Sequence, residues 1–296
     1  MPAVSASAAA AARSGRQQAR LGTNGVYWLL IAPALVLLAV FYLYPLASVL
    51  WISVTEPKPG LGNYAMLLSS GAVQHVLLTT ARISAITTAV TIILGYAVAY
   101  GLVHASPRAR RWMFLGVLLP LWISVLARAF AWVTLLRNQG LVNQLLASLG
   151  LIDQPLQLMW NELGIVIGMV HYMLPYAILP LYANMRGIDA RLVAAARGLG
   201  ATRLQGFLGV FLPLSVPGIV GAGVLVFIFS LGFFVTPAIL GGNRILMIAQ
   251  YISIQILEVV RWGLGAMLAT VLMATVLALM MLLARLIDFR RLFGAG

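Results

Sequence analysis

A chain of 296 residues that is 62% hydrophobic and only 8% charged, with a mean hydropathy of +1.01, lies outside the range of soluble domains, which carry about a quarter charged residues. The absence of cysteine excludes disulfide staples, thiolate metal ligation and a cysteine nucleophile. The formal charge of +13 does not point to nucleic acid, because the basic residues fall in short segments between apolar runs, a distribution that sets membrane topology, and do not gather on a soluble face.

Residues 1–25, rich in Ala, Ser and Arg, are expected to form a disordered cytoplasmic tail. The apolar run 26–53 that follows is far longer than the h-region of a signal peptide and reads as a retained first span, with Pro33 and Pro45 predicting kinks or a break. Further runs of the roughly 20 apolar residues needed to cross a bilayer occur at 76–103, 112–136, 163–184, 215–240 and 263–284. Arg82 lies two turns into the second run, where a long side chain snorkels to the interface. Arg128 lies near the middle of the third, where a charge costs roughly 3 kcal/mol on insertion scales. Two readings stand for it: it binds a negative group of a solute or lines a gate, or it is neutralised by backbone carbonyls or by an acid on a partner chain. Trp122 and Trp132 are aromatic candidates for a solute path in the same run.

After Gly140, LVNQLLASLG places Leu141, Val142, Leu145, Leu146 and Leu149 on one face and predicts an interfacial helix. The fourth run carries His171, Tyr172, Pro175 and Pro180; prolines at this depth free backbone groups and are tolerated where protein or water satisfies them, which makes this run a candidate lining for a path. For His171 the alternative is a hydrogen bond to a neighbouring helix. The fifth run ends in GFFVTPAILGG, where Phe233, Phe234 and Pro237 precede a Gly-Gly break. The expected fold is all-α and polytopic, a single membrane domain over 26–287 with six transmembrane helices and a cytoplasmic tail at 288–296.

Orientation follows from the basic residues. Thirteen arginines (Arg13, Arg16 and Arg20; Arg108, Arg110 and Arg111; Arg186, Arg191, Arg197 and Arg203; Arg285, Arg290 and Arg291) fall on one side, against Lys58, Arg137, Arg244 and Arg261 on the other. The richer side is assigned to the cytoplasm, with both termini inside.

On that side lies the longer segment 185–212. Asp189 is a suitable N-cap for a helix through Arg191, Leu192, Ala195 and Ala196, with Gly198 or Gly200 able to end it. Thr202 and Gln205 form the spacing of a capping box, opening a second helix with Leu204, Phe207, Leu208 and Phe211 on one side. Pro213 and Pro217 are expected to bend the chain as it re-enters the membrane.

The run LVAAARGLGATRLQGFLGVFLPLSVPG (192–218) resembles the EAA signature loop of type I ABC importer permeases, with Ala195, Ala196, Leu199, Gly200, Ala201, Phe207, Leu212, Pro213, Pro217 and Gly218 at matching positions. It departs from that signature at Ala194, where the family has its leading glutamate, and at Gly198. Segments 120–146, 173–189 and 232–242 are similar to the first permease subunit of polyamine-type systems. The resemblance implies a homologous second permease, two copies of a cytoplasmic ATPase and an extracytoplasmic substrate-binding protein, all at a bacterial inner membrane. It also implies that residues Asp189, Arg191, Leu192, Ala194, Ala195, Ala196, Arg197, Gly200, Ala201, Thr202 and Arg203 couple to the ATPase.

No Walker A sequence is present, so ATP and Mg are expected on the partner ATPase, with no cofactor, metal or catalytic residue on this chain. A secondary transporter or channel would share the spans, but its coupling acids are missing from them. An intramembrane enzyme would have to work with His75, His104 and His171, which are separated in sequence and predicted depth. The polyamine class or another small polar organic solute is the expected cargo.

Overall fold

A computed structural model describes residues 27–286. The expected tails at 1–25 and 288–296, with Arg13, Arg16, Arg20, Arg290 and Arg291, lie outside the described residues. Five helices are long and apolar enough to cross a membrane: α1 (Tyr27–Thr55), α3 (Gly71–His104), α7 (Glu162–Arg186), α9 (Arg203–Leu231) and α12 (Trp262–Leu286). Between them run the shorter α2 (Gly62–Ser69), α4 (Pro107–Trp122), α5 (Val125–Leu136), α6 (Leu141–Ser148), α8 (Ala190–Gly198), α10 (Val235–Leu240) and α11 (Ile248–Leu257). No strand occurs among the described residues.

Two expected spans are corrected. The third, read as one helix over 112–136, is broken: α4 meets the Val125–Ser148 segment at 100°. Ile123 and Ser124 leave helical geometry at ψ 133° and 136° just after Pro120, which cannot donate to the helix and crowds the turn before it. The fifth, read as 215–240, begins earlier and ends sooner, because α9 continues from the loop without interruption and stops at Gly232. Two of the prolines expected to bend the chain, Pro45 and Pro213, follow π turns, while Pro33 and Pro217 lie within continuous helix. Tyr44 donates to the carbonyl of Ala39, five residues back, and is followed by Pro45; Leu212 donates to that of Phe207 and is followed by Pro213. Widening the turn just ahead of the ring gives it room, and the helix runs on.

The centre of the molecule is the triangle α3, α7 and α9, the most extensively packed elements. Met173, Ala177, Leu181 and Met185 recur every four residues along α7 and meet Ala99 and Leu102 of α3 and Ala222 and Val226 of α9. Lipid is as apolar as these side chains, so close packing and not exclusion from water holds the triangle, and small residues mark its contacts. A Cβ on Gly95 would lie 3.1 Å from that of Ala177; one on Gly218 would lie 2.7 Å from Oδ1 of Asn184, near the loop end of α7.

Helix α1 packs against α12 and buries almost nothing else, leaving its flank exposed. At the elbow after α1, buried Asn63 donates to the carbonyls of Ser53 (3.0 Å) and Glu56 (2.7 Å), and Gly263 of α12 sits against that same Glu56 oxygen. At the opposite end, the Arg110 guanidinium ties the turn between α3 and α4 by donating to Leu102, Val103 and Ala105. Arg82 pairs with Glu162 at the start of α7, a specific partner for a side chain expected only to snorkel. The expected helix α6 forms, but its buried residue is Asn143, which exchanges hydrogen bonds with the backbone of Leu156 while Leu141, Leu145 and Leu149 stay exposed.

Candidate functional site

The first candidate site is the loop between α7 and α9. The Asp189 carboxylate accepts from the Arg191 amide at 2.9 Å and opens α8. The helix closes at Leu199, and the chain turns at Gly200, whose φ of +97° suits glycine and strains any residue with a Cβ. Two residues later Thr202 opens α9 with both arms of a capping box: its hydroxyl accepts from the Gln205 backbone amide at 3.2 Å, and the side-chain Oε1 of Gln205 accepts from the Thr202 backbone amide at 2.8 Å. Val193 of α8 packs beside Gly206 of α9, so the two helices are fixed as one elbow. The elbow carries Leu192, Leu204 and Leu199, the last 91% exposed, with Arg191, Arg197 and Arg203 around them. These apolar groups lie outside the packed core of the bundle, exposed together on the elbow. Of the other positions singled out there, Ala194 and Ala195 are exposed and Ala196 and Ala201 half-buried. Thr202→Ala removes one arm of the cap and is expected to loosen the first turn of α9 by about 1 kcal/mol; faster amide exchange at Gln205, with helices elsewhere unchanged, would register it.

The second candidate site lies inside the bundle, at the crossing of α5, α7 and the end of α9. Arg128 is 8% exposed, and its guanidinium carbon is 4.4 Å from the centre of the Tyr172 ring. Its Nε and one terminal nitrogen are buried with no hydrogen-bond partner among the described residues. Tyr172 stacks on Tyr176 (5.8 Å) and contacts Phe233 (4.6 Å), and Tyr176 meets Phe229 edge to face (5.2 Å). Beside them Trp132 Nε1 donates to Nδ1 of half-buried His171 at 3.2 Å. An indole N–H only donates, so Nδ1 accepts and the neutral ring carries its proton on Nε2. The face of Tyr172 contributes about 0.5–2 kcal/mol to the Arg128 cation, less than the roughly 3 kcal/mol its depth costs.

The structure thus brings together Arg128, Trp132, His171, Tyr172 and Phe233. It adds Tyr176 and Phe229, which sequence reasoning passed over although Tyr172 and Tyr176 are one helical turn apart. Pro175 and Pro237 are buried; α7 is continuous through its prolines, and Pro237 caps the turn closed by Gly241. Trp122 (91% exposed) and Phe234 (42% exposed) are not part of the cluster. Beyond it, a line of buried hydroxyls on α3, Ser84, Thr87 and Thr91, has no hydrogen-bond partner among the described residues.

The fold is that of an ABC importer permease. It aligns over 91% of this chain, with a TM-score of 0.77 at 18% identity, with 96% of a chain in a bacterial alginate ABC transporter solved in complex with an alginate pentasaccharide-bound periplasmic protein. Residues 91–292 match the family of binding-protein-dependent transport system inner membrane components, and the chain belongs to that family. Over 223 residues it is 34% identical to the spermidine/putrescine transport system permease protein PotB of Salmonella typhimurium, a match covering 75% of this chain and 77% of that protein. It is 28% identical over 164 residues to the molybdenum transport system permease protein ModB of Azotobacter vinelandii, covering 55% of this chain and 71% of that one. The chain is a multi-pass permease component of an ABC importer.

Proposed function

We propose that this permease forms half of a translocation path, with a homologous second permease as the other half, and that two copies of a cytoplasmic ATPase dock on the elbows of the pair. The observation that carries the reading is the doubly capped elbow at Gly200 with Leu199 and its neighbours exposed around it. A rigid protrusion transmits displacement, whereas a slack loop absorbs it. In this reading the elbow and both termini face the cytoplasm, ATP and Mg reside on the ATPase, and an extracytoplasmic binding protein delivers solute to the opposite end. Closure of the ATPase pair drives alternating access. Ala194 removes a carboxylate from the docking contact, leaving shape, the exposed leucines and the arginines Arg191, Arg197 and Arg203 to make it.

The cargo is a polyamine or another small polar organic solute. The chain's relatives are named for transport of spermidine and putrescine and for that of molybdenum, so the solute varies among them. The test is reconstitution of the permease pair, ATPase and binding protein in proteoliposomes. Solute-loaded binding protein is expected to raise ATP hydrolysis several-fold, with uptake dependent on ATP. Uptake that proceeds without the ATPase, driven by an ion gradient, would overturn the proposal.

A further inference from the structure

Resting on that reading, we infer that the Arg128 crossing is an oxyanion site, and that the imported solute carries a carboxylate, phosphate or phosphonate group there in place of being wholly cationic. Arg128 cannot escape its environment by losing a proton, since guanidinium stays charged throughout the accessible pH range. It is more than nine-tenths buried, yet Nε and one terminal nitrogen have no acceptor among the described residues. The ion pairs among the described residues are Arg82 with Glu162 and Arg191 with Asp189, so no acid among the described residues answers it. A planar set of donors held on an aromatic face, with acceptors missing at Nε and Nη1, is the half-site that an oxyanion completes by charge-assisted hydrogen bonding.

The surroundings favour a ligand over a buried structural pair. The imidazole of the cluster also supplies a donor, the Nε2 proton of His171, set by the bond from Trp132. Aromatic walls with a few converging polar groups are the usual lining of a small-molecule site. A diamine offers these groups only further positive charge, and like charges brought together in a low-dielectric crossing repel. A zwitterion is accommodated, because its cationic end can rest on the faces of Tyr176 and Phe229 while its oxyanion meets Arg128.

The test uses the complete complex of both permeases, ATPase and binding protein in nanodiscs, with saturation-transfer NMR of methylphosphonate, acetate and putrescine as probes. Methylphosphonate and acetate are expected to give a signal that Arg128→Gln weakens by about 10- to 100-fold in apparent dissociation constant. Arg128→Lys should retain part of it, and putrescine should give no Arg128-dependent signal. Equal oxyanion signals in the wild type and Arg128→Gln would overturn the site. So would putrescine binding that Arg128→Gln leaves unchanged, with no oxyanion signal. Loss of the second permease from the Arg128→Gln complex, restored by Arg128→Lys with oxyanion signals absent from both, would assign Arg128 to an acid of the partner and likewise overturn it. None of these readouts depends on ATP coupling, which hydrolysis in the same nanodiscs measures separately.

Discussion

Gly200→Pro is expected to abolish solute-stimulated ATP hydrolysis while leaving the permease assembled. Proline fixes φ near −65°, whereas Gly200 stands at +97°, and the ring also removes the amide that donates to Arg197 at 3.0 Å. The elbow between α8 and α9 therefore cannot keep its direction. Nothing lies within 4 Å of the position a Cβ would take, so no packed neighbour is displaced and the disturbance stays in the elbow. Gly200→Ala meets only the backbone cost of the left-handed region, of order 1–2 kcal/mol, and should weaken stimulation without eliminating it. Hydrolysis measured with and without loaded binding protein, alongside the subunit stoichiometry of the purified complex, separates coupling from assembly. Full stimulation in the assembled proline variant would remove the elbow from the transmission of ATP closure.

Gly263→Val is expected to cost about 3 kcal/mol and to deplete the protein from the membrane, the largest stability effect among the glycines. The added Cβ would fall on the carbonyl oxygen of Glu56 and within 2.8 Å of the Asn63 amide nitrogen. Both are pinned, because Asn63 is buried and holds that carbonyl at 2.7 Å, so neither side yields and α12 must leave α1. Gly116→Ala is the control: it adds the same atom in a helix where no group lies within 4 Å, and replacing a mid-helix glycine is neutral or slightly stabilising. Thermal midpoints of the detergent-solubilised complex decide the matter. A midpoint for Gly263→Val equal to that of Gly116→Ala would show that the elbow adjusts.

The parts of this molecule that were legible in its sequence are those set by neighbours along the chain. Asp189 and the Thr202–Gln205 pair cap helices through contacts no more than three residues long, so spacing alone located α8 and the start of α9. Hydropathy found the apolar runs of membrane length but not the ten-residue α11, and because a windowed sum carries no direction it passed over the 100° break after Trp122. Pro45 and Pro213 read as bends because a proline signals a lost hydrogen bond and a crowded turn; whether the helix makes room for the ring by widening a turn depends on the surrounding backbone. The inner site was half legible. Arg128 announced itself by depth, but its seat on Tyr172 joins two helices separated by the α6 excursion, and no local pattern encodes that meeting. Trp122, equally aromatic and close in sequence, points away, since it follows α4 and not α5 across the break.

The unbroken course of α9 has a mechanical consequence. Its 29 residues make a rod of about 44 Å, and Gly218, pressed against Asn184, holds it roughly midway. A stiff beam held at its middle behaves as a seesaw: push its foot one way and its head swings the other. A tilt of about 5° moves each end by roughly 2 Å in opposite senses. The foot of this beam is the capping box at Thr202, and its head is Ser230 and Leu231, next to Phe233 and the Tyr172 ring. The proposed alternating access would then need no hinge within the helix, which continues through the π turn ahead of Pro213.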